Sequence, residues 1–474
     1  MGCAKPSVAK LCSHAWVGRN IHRQQVPGEL LFLPDSSLVI VMHLLNKHLL
    51  SSLLLAAAGS LISIESHAVE GFDEPRPKKA SEILPADLIT GKHFRVHDNV
   101  TWNDGLHEFT VETDFGSFDV WGEPMLRVRL AEVDAWYTLE NTSSASAGVK
   151  AVGKSAVRSI GSLAKAFAHP LKTIKGVPTG INRMFLKAEH TAEKVSEYAG
   201  KDDGESSGEV DKGDNPIAKL SKKMLGVNKA YRRLAKEYGV NPYTTNEALQ
   251  EELLRVAKVD AVASRGTTIL LPGLGLGLKI VSRVSKAVYE ESWLEIVARN
   301  EEALEDMNAS PDQIRALFSN DSINLTLLTL MIETLKQLED VEGPLNVIDQ
   351  MILLETDAEA VFFSECLLMA DWYNDNEAAL TEWVPGTLVP VALTANNKLI
   401  AFSAADFAYW TPDQKALILD FDEMYRGYAQ EHEAWIADQT SARFVEGLGE
   451  LGWSVRSGMR STVLPEIPWG LSDD

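Results

Sequence analysis

Between residues 83 and 123 apolar positions alternate with polar ones: Phe94 and Val96, then Phe109, Val111 and Thr113, then Phe118 and Val120. Successive side chains of a strand face opposite ways, so this alternation predicts short strands with one buried face. Asp104-Gly105 and Gly116 fall where turns are needed, and the stretch is expected to form a small antiparallel sheet. Asp114-Phe115-Gly116 matches the magnesium-binding tripeptide of protein kinases, but the chain holds no His-Arg-Asp loop to accompany it, and a hairpin turn is the simpler reading. From Leu126 the period lengthens. Leu126, Leu130, Val133, Trp136 or Tyr137, and Leu139 share one helical face.

Helical spacing dominates downstream. Leu220, Met224, Val227, Tyr231, Leu234 and Tyr238 make one stripe. Thr244 and Glu247 read as a capping box opening a helix from Ala248 to about Ala263. Val281, Val284, Val288, Trp293, Ile296 and Val297 resume the pattern, and Ser310-Pro311-Asp312-Gln313 starts another helix with proline at its first position. Leu325 to Leu338 and Leu345 to Trp372 are two apolar helical stretches. The tail changes character. Val389 to Leu393, a turn at Asn396-Asn397 and Leu399 to Phe402 predict a hairpin; Thr411-Pro412-Asp413-Gln414 opens a long helix; Trp453 to Arg456 is a last strand. The expected fold class is α+β, predominantly helical, with a small N-terminal antiparallel sheet and a small C-terminal hairpin. No repeat of roughly 20 to 50 residues is present, which excludes solenoids and propellers.

The start of the chain has a different logic. After Met42, His43, Lys47 and His48 precede an apolar run from Leu49 to Ile64, and small residues follow at Ser66 and Ala68. Cationic start, apolar run and small-residue site are the order of a secretory signal, so 42–68 is read as a signal peptide cleaved after Ala68. The run is 16 residues long and falls short of the roughly 20 that a membrane span requires. Residues 1–41 would then be an upstream extension, with Met42 the true start. The expected location is a bacterial periplasm or cell envelope. Of three cysteines only Cys366 lies beyond the leader, within the apolar run Val361 to Met369, so it is read as a small buried hydrophobe.

Charge divides what remains. The chain carries 45 basic and 67 acidic residues, a net charge of -22, which disfavours nucleic acid as a partner. Residues 301–474 hold 8 basic and 32 acidic groups. Residues 141–188 hold the opposite: Lys150, Lys154, Arg158, Lys165, Lys172, Lys175, Arg183 and Lys187, without one acid among them. Apolar residues are interleaved, and Gly161, Pro170, Gly176, Pro178 and Gly180 break the segment into short pieces. The expected organisation is a sheet-plus-helix region (69–140), a basic kinked amphipathic segment (141–200), a linker (201–215), a helical region (216–300) and an acidic domain (301–474).

Three motifs invite chemistry. Gly204-Glu205-Ser206-Ser207-Gly208 fits G-x-S-x-G, but it is flanked by charged residues rather than a strand and a helix. Gly273, Gly275 and Gly277 resemble a dinucleotide loop whose third glycine would fall at Leu278, and they read better as an apolar connector. Asp420, Asp422, Glu423, Glu431, His432 and Glu433 are the densest group of acids and histidine, read as a solvated helix face with Glu423 and Glu431 near one side.

The function this supports is that of an exported envelope or periplasmic protein, non-enzymatic, whose basic segment meets anionic lipid, an acidic protein or an acidic polymer. The same cations could instead pair internally with the acidic C-terminal part. The alternative is a periplasmic hydrolase working through C-terminal carboxylates such as Asp420 and Glu423. No cofactor or metal is implied.

Overall fold

In a computed structural model, which describes residues 71–146, 160–167, 181–185, 227–260 and 279–464, the N-terminal alternation becomes a four-stranded antiparallel sheet. Its central strand is β3 (Leu106–Thr113), flanked by β4 (Gly116–Trp121) on one side and by β1 (Phe94–Val96) and β2 (Thr101–Asn103) on the other. Phe109 faces Val120 and Val111 faces Phe118 across the β3–β4 pair, and all four are buried. Asp104 and Gly105 both take positive φ (52° and 106°), as a two-residue hairpin turn matched to strand twist requires. Two one-turn helices precede the sheet, α1 (Ala80–Ile83) and α2 (Ala86–Ile89). Helix α3 (Glu123–Ser146) then lays Leu126, Leu130, Val133 and Leu139 on the core, the face its spacing predicts.

The middle of the chain is helical: α4 (Ile160–Phe167), α5 (Ile181–Phe185), α6 (Lys229–Glu237), α7 (Glu247–Asp260), α8 (Lys279–Glu290), α9 (Trp293–Asp306), α10 (Pro311–Ser319), α11 (Leu325–Gln337), α12 (Pro344–Ile352) and α13 (Asp357–Asn376). Helix α11 is buried without a break from Leu325 to Leu335, the state of a helix enclosed on every side. Two boundaries differ from the sequence reading. The cap of α7 is Asn246, whose side chain accepts from the N–H groups of Ala248 and Leu249, while Thr244 is drawn off to donate to the buried Glu132 carboxylate. The stretch from Leu345 to Trp372 is two helices, because the turn at Leu353 and Leu354 stops α12 and the Thr356 hydroxyl caps α13 anew. By contrast α10 starts where expected, with Pro311 at its first position, and Ser310 and Gln313 cap it reciprocally.

The C-terminal hairpin is real but is one corner of a larger sheet. Strands β5 (Leu380–Trp383), β6 (Val391–Thr394) and β7 (Lys398–Ser403) run as an antiparallel meander. Beyond β7 the sheet turns parallel, adding β9 (Glu431–Ile436) and then β11 (Trp453–Arg456), in the order β11-β9-β7-β6-β5. A two-residue parallel pair, β8 (Phe407–Ala408) with β10 (Gln439–Thr440), prolongs the β7–β9 ladder past a short irregular break. Helices α14 (Pro412–Tyr425) and α15 (Ala442–Glu450) are the two crossovers. Right-handed crossovers with strands added in one direction place both helices on the same face. The other face meets α13, where Tyr373 packs edge-on to Phe402 and Trp435. The single-turn α16 (Arg460–Val463) closes the described chain.

The acidic group expected on one helix is thereby divided. Glu431, His432 and Glu433 lie in strand β9, so Glu423 and Glu431 share no helical face. Asp422 is buried and accepts from the Trp453 indole N–H at 2.8 Å and from Arg426, while Asp420 and Glu423 are exposed. Glu433 is buried between Lys398 (3.2 Å) and Arg456 (3.4 Å) on the neighbouring strands. One contiguous apolar core includes Phe109, Leu249, Met331 and Phe402, and all described residues belong to one compact unit. No helix among them is long and apolar enough to cross a membrane.

Candidate functional site

Opposite Ala401 on β7 stands Ala434 on β9, paired in register on the face covered by α14 and α15. Two methyl side chains cannot fill the space a helix layer leaves above a sheet. A cavity of about 80 Å3 remains there, walled by Leu417 and Phe421 of α14 and Phe444 and Leu448 of α15. It lies toward the carboxyl ends of β7 and β9, reached through Ser403 and Ile436, where open sheets with parallel strands bind their ligands. Phe362 of α13 and Phe185 of α5 complete the wall.

Phe185 brings the basic segment into the site. Two residues earlier, Arg183 donates to Glu359 Oε2 at 2.7 Å and to the Leu353 carbonyl at 2.8 Å, and the N–H groups of Leu388 and Val389 donate to the Met184 carbonyl. Glu359 is buried and its carboxyl is raised by that burial, with Arg183 opposing the shift. Arg183 is thus spent on an internal ion pair. Lys165, the other described cation of the eight, is exposed on α4. Lys150, Lys154, Arg158, Lys172, Lys175 and Lys187 lie outside the described residues, as do Ala68 of the expected cleavage site, Gly204 to Gly208 and Gly273 to Gly277.

The mouth is framed by the Asp104-Gly105 turn. That turn is pinned from three directions: the Asp406 and Phe407 N–H groups donate to the Gly105 carbonyl, and the Trp102 indole donates to the Phe407 carbonyl at 2.8 Å. Trp102, Asp104, Ser403 and Gln414 supply polar atoms to a lining that is predominantly apolar. Among the described residues no donor meets the Asp104 carboxylate. Burial, together with the facing Asp413 at the start of α14, pushes its pKa up to about 6.

Behind the turn lies a buried polar network that sequence reasoning missed. Asp406 follows β7 and Asp438 follows β9, both in the break between the two parallel ladders. Arg460 reaches into that break, donating to Glu365 Oε1 at 2.8 Å, to Asp438 Oδ2 at 2.5 Å and to the Ala404 carbonyl at 3.2 Å, with Asp406 Oδ1 at 3.7 Å. Burial raises Glu365 to about 7 and Asp406 to about 6, with Arg460 working against both shifts. Burial also works against the charge on Arg460, but Glu365, Asp438 and Asp406 together hold its pKa above the ordinary value. One guanidinium cannot neutralise three carboxylates, so the group retains a proton into the neutral range. His107 on β3 closes the network. Burial and the nearby Lys78 lower its pKa to about 4, and its Nε2 meets no partner among the described residues, as fits a neutral imidazole.

Glu365 and Asp406 are both nearly inaccessible, which suits a clasp between sheets better than a reaction centre. Their signal was present in the sequence: each is a lone acid inside an apolar run, Phe362 to Leu368 and Phe402 to Ala408, and a charge so placed must be paired. Cys366 is buried, as its apolar run implies, and burial pushes its thiol well up, away from reactivity. Among the described residues no group of three or more His, Cys, Asp or Glu is arranged to hold a metal ion. Comparison of the chain with protein-family models, curated proteins and solved structures returned no match.

Proposed function

We propose that the chain is a non-enzymatic binding protein of the bacterial envelope or periplasm, and that its binding element is the cavity between the five-stranded sheet and helices α14 and α15. The compartment rests on the leader at 42–68. The binding role rests on one observation: the alanine pair Ala401 and Ala434 leaves an apolar space open at the carboxyl ends of parallel strands. Apolar cavities bind small apolar solutes, and this one is bounded chiefly by aromatic and aliphatic walls, with Ser403 the polar side chain on the strand beside Ala401.

Benzyl alcohol is the neutral probe for this reading. It is expected to shift the methyl resonances of Ala401, Ala434, Leu417 and Leu448 and to raise the melting temperature as its concentration rises. Ala434→Leu, which fills the space, is expected to abolish both effects. Unshifted methyl resonances up to the solubility limit would refute the assignment.

A second role is favoured by the division of the basic segment. Arg183 ties part of it to the acidic region, as internal pairing requires, whereas Lys165 is exposed. The remaining cations of 141–200 are proposed to meet an anionic lipid surface. Replacing Lys165, Lys172 and Lys175 with Gln, leaving Arg183 intact, is expected to reduce binding to vesicles containing phosphatidylglycerol. Unchanged sedimentation with the vesicles would count against it.

A further inference from the structure

We propose that the cavity takes a small organic cation: a short alkyl or aryl body seated over Ala401 and Ala434, with an ammonium head held at the mouth by Asp104. The inference rests on the cavity being a ligand site, and it adds the charge of the ligand.

Two independent features converge. The first is the apolar space itself, whose walls include Leu417, Phe421, Phe444 and Leu448 and whose lining, apart from Asp104, holds no charged side chain among the described residues. Any charged group of an occupant must therefore sit at the entrance. The second is the chemistry of that entrance. Asp104 lines it, half-buried, without a hydrogen-bond donor among the described residues, and faces the Asp413 carboxylate rather than a cation. Two basic side chains among the described residues near this edge lie against aromatic rings. Lys78 lies 4.3 Å from the centre of the Phe407 ring, and Lys415 lies 5.7 Å from that of Phe72. An anion would meet the Asp104 carboxylate, with Asp413 nearby adding to the repulsion, and a neutral ligand would leave Asp104 as it stands. A cation gives Asp104 an opposite charge, a charge-assisted hydrogen bond from N–H to carboxylate, and relief from Asp413.

The geometry also makes Asp104 hard to move. It occupies the first central position of a turn with positive φ, and that turn is fixed by Asp406, Phe407 and Trp102. A carboxylate on a fixed turn, above an apolar space, presents a preformed subsite rather than a flexible surface acid.

Three probes that share a ring and differ in charge test this: benzylamine, benzyl alcohol and benzoate, titrated at pH 8 and followed through the Ala401 and Ala434 methyl resonances. Benzylamine is expected to bind about 5- to 20-fold tighter than benzyl alcohol, and benzoate more weakly than either. The preference should shrink as salt is added, because the mouth is open to solvent. Asp104→Asn keeps a residue that tolerates positive φ and is expected to remove the preference, so that benzylamine and benzyl alcohol bind the variant with equal affinity. Equal affinity for all three probes would overturn the cation assignment while leaving the cavity as a ligand site. Binding of none would overturn both. Asp104→Asn without effect on benzylamine would remove Asp104 from the site.

Discussion

The backbone N–H of His107 donates to Asp406 Oδ2 at 2.9 Å, joining strand β3 of one sheet to the end of strand β7 in another across 299 residues of sequence. The bond is returned when the Asp406 N–H donates to the Gly105 carbonyl, also at 2.9 Å. A single acid therefore holds the hairpin turn against the parallel strands and, through its other oxygen, faces Arg460.

Replacing Asp406 with Ala removes the acceptor for a buried N–H and leaves His107 and Arg460 each one partner short. The expected loss is about 2–4 kcal/mol. It should appear as a lower urea midpoint with an unchanged slope, since the surface exposed on unfolding is the same. A midpoint equal to that of the wild type would show that the clasp contributes nothing.

Stability should depend on pH through this network. Glu365 is raised from 4.5 to about 7 and Asp406 from 3.8 to about 6, so the native state holds their protons more tightly than the unfolded chain. Their contribution is complete below the unfolded values and is lost as pH rises through 6 and 7. His107, lowered from 6.5 to about 4, acts in the opposite sense: its contribution is present above 6.5 and lost as pH falls through 4. Urea midpoints are expected to decline between pH 6.5 and 8, where Glu365 still titrates and His107 no longer does. Glu365→Gln should flatten that decline, and His107→Gln should steepen the fall between pH 4.5 and 6.5. A midpoint that rises from pH 6.5 to 8 would reverse the assignment.

Two glycines of α15 should respond in opposite ways to the same change. A methyl group on Gly447 would lie 2.5 Å from the indole ring of Trp410, which is buried and has nowhere to turn, whereas one on Gly449 meets nothing within 4 Å. Gly447→Ala is expected to cost about 1–3 kcal/mol through overpacking. Gly449→Ala should stabilise by up to about 1 kcal/mol through helix propensity. Thermal melts of the two variants decide the matter, and equal shifts would contradict the packing.

Arg183→Met tests whether the basic segment shapes the cavity. It leaves Glu359 buried without its partner and releases the strut that sets Phe185, whose ring lies 6.0 Å from that of Phe421. An expected loss of about 2–4 kcal/mol would accompany weaker benzyl alcohol binding. Wild-type affinity in this variant would detach Phe185 from the site.

The elements that were legible in the sequence are those governed by one partner surface. The β3–β4 hairpin, α3 and α10 each show an uncovered face to water, so their apolar residues keep the period of the element. The parallel part of the C-terminal sheet was not legible as such, for a physical reason. Strand β9 is covered on both faces, which erases alternation, and it opens with Glu431, His432 and Glu433, whose acids are answered by Lys398, 35 residues before Glu433, and by Arg456, after it in the chain. Such pairing is invisible along the chain. The cavity was equally hidden, because it consists of what Ala401 and Ala434 fail to fill once they stand side by side.

Arg460 follows Glu365, Asp406 and Asp438 in the order of the chain. A polypeptide emerging from the ribosome thus presents three acids before the cation that gathers them exists. The buried acids of the break between the parallel ladders therefore gain their shared cation only when α16 is in place, which makes a short helix at the far end of the described chain the keystone of both crossovers.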